Sequence, residues 1–156
     1  MPCREYEAQD FNDVEIEPAD VSAEVPIVVP LAGSRSLYLL AGMICPKEDT
    51  FAGASEWKGY HVQVRLPAIG IPWLKATDTT SRGLRVLQGH VTVGLARIEN
   101  RGTAVNAGWA VDSVARPQGD GIHLVFWMTL GVRDRDGFIH RLNYQANVLA
   151  QRQGGV

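Results

Sequence analysis

The stretch LVFWMTLGVRDRDGFIHRLNYQ, residues 124–145, decides the fold class. Two runs rich in Val, Ile, Phe, Trp, Tyr and Thr flank Asp136-Gly137. Such runs favour strands, and an Asp-Gly pair between them is a strong local signal for a tight hairpin turn. The pattern predicts two long antiparallel strands. One side of this ribbon carries the side chains that form either packed core or the wall of a ligand pocket: Phe126, Met128, His140 and Tyr144.

The preceding segments also read as strands. Residues 25–31, VPIVVPL, contain Pro26 and Pro30, which restrict them to an edge strand or an extended covering segment. Residues 34–45 are apolar at both odd and even positions, whereas apolar and polar residues alternate in residues 58–68. That alternation predicts four inward side chains, with His61, Gln63 and Arg65 outward: Tyr60, Val62, Val64 and Leu66.

The second half continues in the same way. Residues 84–99 form a long strand candidate in which Gly89 and Gly94 indicate bulges or bends. Residues 103–116 are a further candidate, and residues 67–83, with Trp73, read as a loop. No segment has the apolar spacing of a helix. We therefore predict an all-β fold, an antiparallel meander that closes into a six- to eight-stranded, lipocalin-like barrel, because closure removes exposed edges.

Charge divides the chain. Residues 1–24 hold eight acids and one base (1 − 8 = −7), and the remainder holds fourteen bases and nine acids (14 − 9 = +5). This predicts a non-regular acidic leader over residues 1–24, flexible or docked on a barrel domain of residues 25–150, with a disordered tail at 151–156. The bases are scattered singly, which argues against nucleic-acid binding.

Other features of the sequence indicate the cellular location of the protein. No apolar run reaches the roughly 18 residues that cross a bilayer, so we expect no membrane insertion. The N-terminus lacks the pattern of a signal peptide, and Cys3 and Cys45 have no metal-binding spacing. A cytoplasmic protein with free thiols is expected.

Recognised catalytic motifs are missing. The chain has no GxSxG, no phosphate-binding glycine loop and no dinucleotide fingerprint, and its four histidines lack the spacing of a metal site. We expect no metal and no cofactor. His90 and His140 share parity with aliphatic neighbours and are expected to point inward, either as hydrogen-bonded core residues or as functional groups.

Aromatic and polar side chains on the expected inner faces define a candidate pocket. Tyrosine and histidine that point inward need polar partners or water, which favours a cavity with a few placed polar groups. The candidate hydrogen-bond donors to a reacting carbonyl are Tyr60, His90, His140 and Tyr144. The candidate substrate-binding residues are Tyr38, Trp73, Phe126 and Met128.

The predicted architecture resembles small cofactor-free β-barrel cyclases of the allene oxide cyclase-like and spirotetronate cyclase-like kinds. The resemblance rests on the acidic leader, on barrel strands across residues 25–150, and on an aromatic surface from Tyr60, Trp109, Phe126, Trp127 and Tyr144. It carries no specific motif, so no catalytic residue is transferred from it. It implies enclosure of a flexible apolar substrate that is held in a reactive conformation.

The sequence therefore suggests a protein that encloses a hydrophobic small molecule, as a cofactor-independent cyclase or isomerase of polyketide-type secondary metabolism. Two alternatives are a non-catalytic carrier and a structural or assembly subunit. Residues 34–45 and 121–132 are apolar on both faces. Because a monomer in water has to cover that second face, we also expect a homodimer.

Overall fold

The computed structural model describes residues 10–66, 84–100, 108–112, 118–119, 124–133 and 136–152, and this part of the chain is built of strands. In chain order they are β1 (Asp10–Ile16), β2 (Val21–Ala23), β3 (Ile27–Leu31), β4 (Arg35–Ile44), β5 (Lys58–Arg65), β6 (Leu84–Asn100), β7 (Gly108–Asp112), β8 (Gln118–Gly119), β9 (Leu124–Arg133) and β10 (Gly137–Arg152). A single 3₁₀ turn at Pro18–Asp20 is the only helical element in the described residues. The all-β prediction is confirmed.

Five strands form one sheet, here sheet A, in the order β1-β5-β9-β7, with β8 also paired to β9. β1 runs parallel to β5, and the other pairings are antiparallel. The expected non-regular leader is wrong over Asp10–Ile16, where Val14 and Ile16 pair with Val62 and Val64. Alternating apolar residues inside an acidic sequence let this strand bury one side while its carboxylates face water.

The other five strands form sheet B, in the order β2-β4-β10-β6, with β3 also paired to β4. β10 pairs with β4 along the whole of Arg35–Ile44, so β2 and β3 lie one after the other along the other edge of β4. This placement confirms residues 25–31 as an edge strand. β10 continues to Arg152, two residues into the segment predicted to be a disordered tail.

The strand predictions around Asp136-Gly137 are confirmed, but the predicted hairpin is wrong. β9 pairs with β5, β7 and β8 in sheet A, whereas β10 pairs with β4 and β6 in sheet B. The chain thus crosses between sheets after Arg133. Both strands have apolar residues to bury and each finds two longer-range partners, which outweigh the local turn preference.

The predicted antiparallel meander is also wrong, because sequence neighbours are rarely sheet neighbours and one pair is parallel. Ten strands are described where six to eight were predicted. Within the described ranges no ladder joins sheet A to sheet B, and a closed barrel is not found. Two isolated bridges, Ala52 to Phe138 and Ala54 to Arg133, lie near the crossing.

The two sheets share one hydrophobic core. Val62, Val64 and Leu130 from sheet A and Leu142 and Val148 from sheet B are buried in a single cluster. The alternation predicted for residues 58–66 is confirmed, since residues 60, 62, 64 and 66 are buried and His61 is exposed. The inner faces of both sheets are therefore packed against each other as in a two-layer fold.

Candidate functional site

Tyr60, the first candidate donor, is packed in the core at the start of β5. Its hydroxyl donates a hydrogen bond to the backbone carbonyl of Ala52 at 2.5 Å, and its ring meets Phe51 edge-on at 5.3 Å. Burial raises the pKa of the Tyr60 phenol above 10.0. The hydroxyl is neutral near pH 7 and already has an acceptor.

Tyr144, the second candidate donor, is buried on β10 and holds β2. Its hydroxyl donates to the backbone carbonyl of Ser22 at 3.1 Å, and its ring lies 5.7 Å from that of Phe126. Burial, with a smaller contribution from the charge of Glu24, raises its pKa to about 12. Gly42 makes the contact possible, since a Cβ there would lie 1.9 Å from the Ser22 oxygen.

Three candidate substrate-binding residues are also buried side chains of this core. Phe126 and Met128 project inward from β9, and Tyr38 projects inward from β4. All three belong to the same cluster as Tyr60 and Tyr144. The structure therefore brings five of the eight sequence-predicted site residues into one core, where they contact other side chains.

The other three sequence-predicted site residues are His90, His140 and Trp73. His90 is exposed on β6, so the expected inward position is wrong: it pairs with Asn147, whose side chain is also exposed. His140 is partly buried beside Phe138, at a ring distance of 5.7 Å, where the register between β10 and β6 shifts. Trp73 lies outside the described residues.

Two hollows lie on the outer face of sheet B, where the sequence predicted none. One, of about 260 Å³, is lined by residues that include Glu24, Ile27, Leu39, Gln145 and Asn147. The other, of about 270 Å³, is lined by Thr92, Val93, Gly94, Asn143, Tyr144 and Gln145. The hollows meet at Gln145, and both are open to solvent. The sequence feature that could have indicated them is the set of polar residues at odd positions of β10: Asn143, Gln145 and Asn147.

An apolar surface borders these hollows at the β3 edge. All five residues of β3 are exposed, with Ile27 63% and Val29 39% accessible. Ile27 and Val29 pair with Leu39 and Leu37, so their side chains lie on the same face as those two leucines. A row of aliphatic side chains thus faces water on the outside of sheet B.

The peptide groups of β3 have a defined direction. Across the β2–β4 edge, the Cys45 amide donates to the carbonyl of Asp20, and the Glu24 amide donates to the carbonyl of Ala41. The odd residues of β4 therefore direct their peptide groups to that edge. Ile27 and Val29, opposite Leu39 and Leu37, therefore bond to β4, while Val28 and Pro30 point away from the sheet. Pro30 has no N–H, and this limits strand addition at the β3 edge.

The outer face of sheet A has a different character. The Phe11 and His61 rings stack at 4.4 Å, and Trp127 is 41% exposed in the strand beyond. Arg65 approaches Glu17 at 3.9 Å.

Among the residues that the structure describes, no group of three or more His, Cys, Asp or Glu side chains is arranged to hold a metal ion. Within the same residues, no helix has the length and apolar character required to cross a bilayer.

Comparisons with protein-family models, with curated proteins and with solved structures found no match.

Proposed function

We propose that this protein is a non-catalytic structural subunit that works by associating with other copies of itself through sheet B. The observation that carries the proposal is the exposure of every residue of β3. An aliphatic strand left in water is unfavourable by about 25 cal/mol for each Å² of apolar surface, and contiguous apolar patches of this kind mark protein contact sites.

The adjoining strand supports the same proposal. The outward side chains of β4, among them Leu37 and Leu39, are only half-buried. They continue the apolar surface from β3 across the sheet, with no charged residue between them. A second copy has the same surface, so the two are compatible without matching charges.

The contacts of the two buried tyrosines also favour a structural role. The hydroxyls of Tyr60 and Tyr144 donate to backbone carbonyls of Ala52 and Ser22. A donor used in this way ties a loop or an edge strand to the core. It has to give up that bond before it can stabilise a reacting carbonyl.

The test is the mass of the particle in solution. Sedimentation velocity and light scattering across 1 to 100 µM, on the order used for weak self-association, should give species of at least twice the 17.1 kDa chain. The double variant Ile27→Thr/Val29→Thr keeps β-branched residues and should weaken association at least tenfold. Phe11→Thr on sheet A is the matched control and should leave it unchanged. A 17.1 kDa particle throughout that range would rule the proposal out.

The competing proposal is the cyclase or isomerase, or a passive carrier, with a hydrophobic ligand inside a barrel. It is favoured by the clustering of Tyr38, Tyr60, Phe126, Met128 and Tyr144 in one core. Tryptophan fluorescence titrated with a series of apolar polyenes tests it. Saturable binding with one ligand per chain, weakened by Phe126→Ala and unaffected by Ile27→Thr, would favour this proposal over the structural one.

A further inference from the structure

In the described part of the chain, the long strand β6 forms the opposite edge of sheet B, and it also lies near β7 and β8 of sheet A. β6 spans 17 residues and pairs with β10 alone among the described strands, while β7 and β8 pair with β9. Residues 86–96 contain neither proline nor a charged residue. Edge strands are normally protected by lysine, proline or shortness, because their free peptide groups bind other strands.

The direction of the β6 peptide groups follows from the ladder. Even residues of β4 face β10, so odd residues of β10 face β6. Asn143, Gln145, Asn147 and Leu149 pair with Gly94, Thr92, His90 and Gln88, and these even residues of β6 are therefore bonded to β10. The odd residues direct their N–H and C=O groups out of the sheet: Gly89, Val91, Val93 and Leu95.

The outward groups lie in one regular stretch. The register between β6 and β10 shifts beside Leu87 and beside Ala96, but it is continuous from Gln88 to Leu95. Bulges at both ends bend the strand and limit pairing there. Among the described strands, no ladder occupies the outward peptide groups of these four residues.

We propose that two copies of the chain pair antiparallel through β6, about a two-fold axis at Thr92, so that the two sheets B become one ten-stranded sheet. The inference rests on the proposed self-association and adds to the β3–β4 surface a second interface, at the opposite edge of sheet B. In this register Val91 opposes the partner's Val93, and Gly89 opposes the partner's Leu95. At each of these pairs, both residues direct their N–H and C=O groups toward the other copy. This arrangement allows about eight inter-strand hydrogen bonds.

Side-chain size selects this register. Leu95, 42% exposed, would lie opposite a glycine, and His90 would lie opposite Gly94 on the other face of the strand. Both glycines therefore leave room for a large neighbour from the partner. Thr92 meets Thr92 of the partner subunit, and the valines meet valines, which are favourable cross-strand pairs.

Cysteine cross-linking tests the axis. In the full chain with Cys3→Ser and Cys45→Ala, Thr92→Cys places two sulfurs across the two-fold axis, where paired Cα atoms are about 4.5 Å apart and a disulfide can form. Gln88→Cys is the matched control on the same exposed edge. Its two copies would be about 27 Å apart, at 3.3 Å per residue. Mild oxidation should convert most of the Thr92→Cys chain to a covalent dimer, at least tenfold faster than the control.

Amide exchange provides a second measurement that needs no substitution. On raising the protein concentration, the amides of Val91 and Val93 should exchange at least tenfold more slowly. Those of His90 and Thr92, bonded to β10 in both states, should change little. Equal exchange rates at all four amides across an association transition would overturn the β6 interface.

The outcomes separate this inference from the proposed function. Association that depends on Ile27 and Val29, with no preferential cross-linking at position 92, would leave the structural subunit standing and remove the β6 interface. A monomer at every concentration would remove both. Cross-linking at position 92 with protection of Val91 and Val93 supports self-association through β6, and the Ile27→Thr/Val29→Thr variant tests the β3 surface separately.

Discussion

The hydroxyl of Tyr144 lies 3.1 Å from the backbone carbonyl oxygen of Ser22, a residue 122 positions earlier in the chain. This contact ties β2 to the centre of sheet B across Gly42, and it is the longest-range side-chain hydrogen bond among those described here. It also explains why a tyrosine rather than a phenylalanine occupies a position 2% exposed in the core.

Removal of that hydroxyl should destabilise the fold. Tyr144→Phe keeps the ring against Phe126 but leaves the Ser22 carbonyl without this donor. We expect a loss of about 1 to 2 kcal/mol in the free energy of unfolding. Chemical denaturation followed by circular dichroism measures it. An unchanged midpoint would mean that β2 is held without the hydroxyl.

Two glycine substitutions should differ in their effect on stability. A Cβ at Gly42 would lie 1.9 Å from the Ser22 carbonyl oxygen, which is backbone, whereas a Cβ at Gly94 would lie 2.5 Å from the amide oxygen of the exposed Asn143 side chain. Gly42→Ala should therefore cost about 2 to 3 kcal/mol, and Gly94→Ala less than about 1 kcal/mol. Thermal unfolding of both variants tests the order. Equal losses would show that β2 can move away from β4 freely.

Stability should fall at alkaline pH. Burial raises the pKa of Tyr144 from 10.0 to about 12, so the folded chain holds this proton more tightly than the unfolded chain does. The stabilisation is complete below about pH 10 and is lost as the pH rises toward 12. Denaturant unfolding at a series of pH values should show this slope, and Tyr144→Phe should reduce it. A slope unaffected by the substitution would assign it to other groups, among them Tyr60, whose pKa burial also raises.

Pro30 should protect the β3 edge against the addition of another strand. Pro30→Val restores an N–H on the outward side of the strand, beside Val28, and should increase concentration-dependent association or fibrillar aggregation. Leu31→Val is the matched control, because residue 31 directs its peptide groups toward β4. Light scattering and thioflavin fluorescence report the difference. Identical behaviour of the two variants would contradict the assigned direction of the edge.

Much of the local structure could be predicted from the sequence. Alternation in residues 58–66 is a property of neighbouring residues, and it correctly placed Tyr60, Val62, Val64 and Leu66 in the core. The two prolines identified β3 as an edge strand for the same local reason, since a missing N–H is a covalent fact.

The partners of those strands were decided by the tertiary structure. Asp136-Gly137 favours a hairpin, but β9 pairs with β5, β7 and β8 and β10 pairs with β4 and β6, so the two strands lie in different sheets. The acidic leader became a strand because Val14 and Ile16 find β5 as a parallel neighbour, which no local pattern could specify.

Some residues of the candidate site were likewise predicted correctly from the sequence, and others were not. Sequence parity identified Tyr144, Phe126 and Met128 as inward residues, and they are buried. Parity failed at His90, because the face that a residue presents depends on the register with β10, and that register shifts at three places along the β6–β10 pair. The hydroxyl of Tyr60 finds its acceptor 8 positions away, but that of Tyr144 finds its acceptor 122 positions away. Composition and spacing determined the strands, and only their pairing and packing decided what they present to a partner.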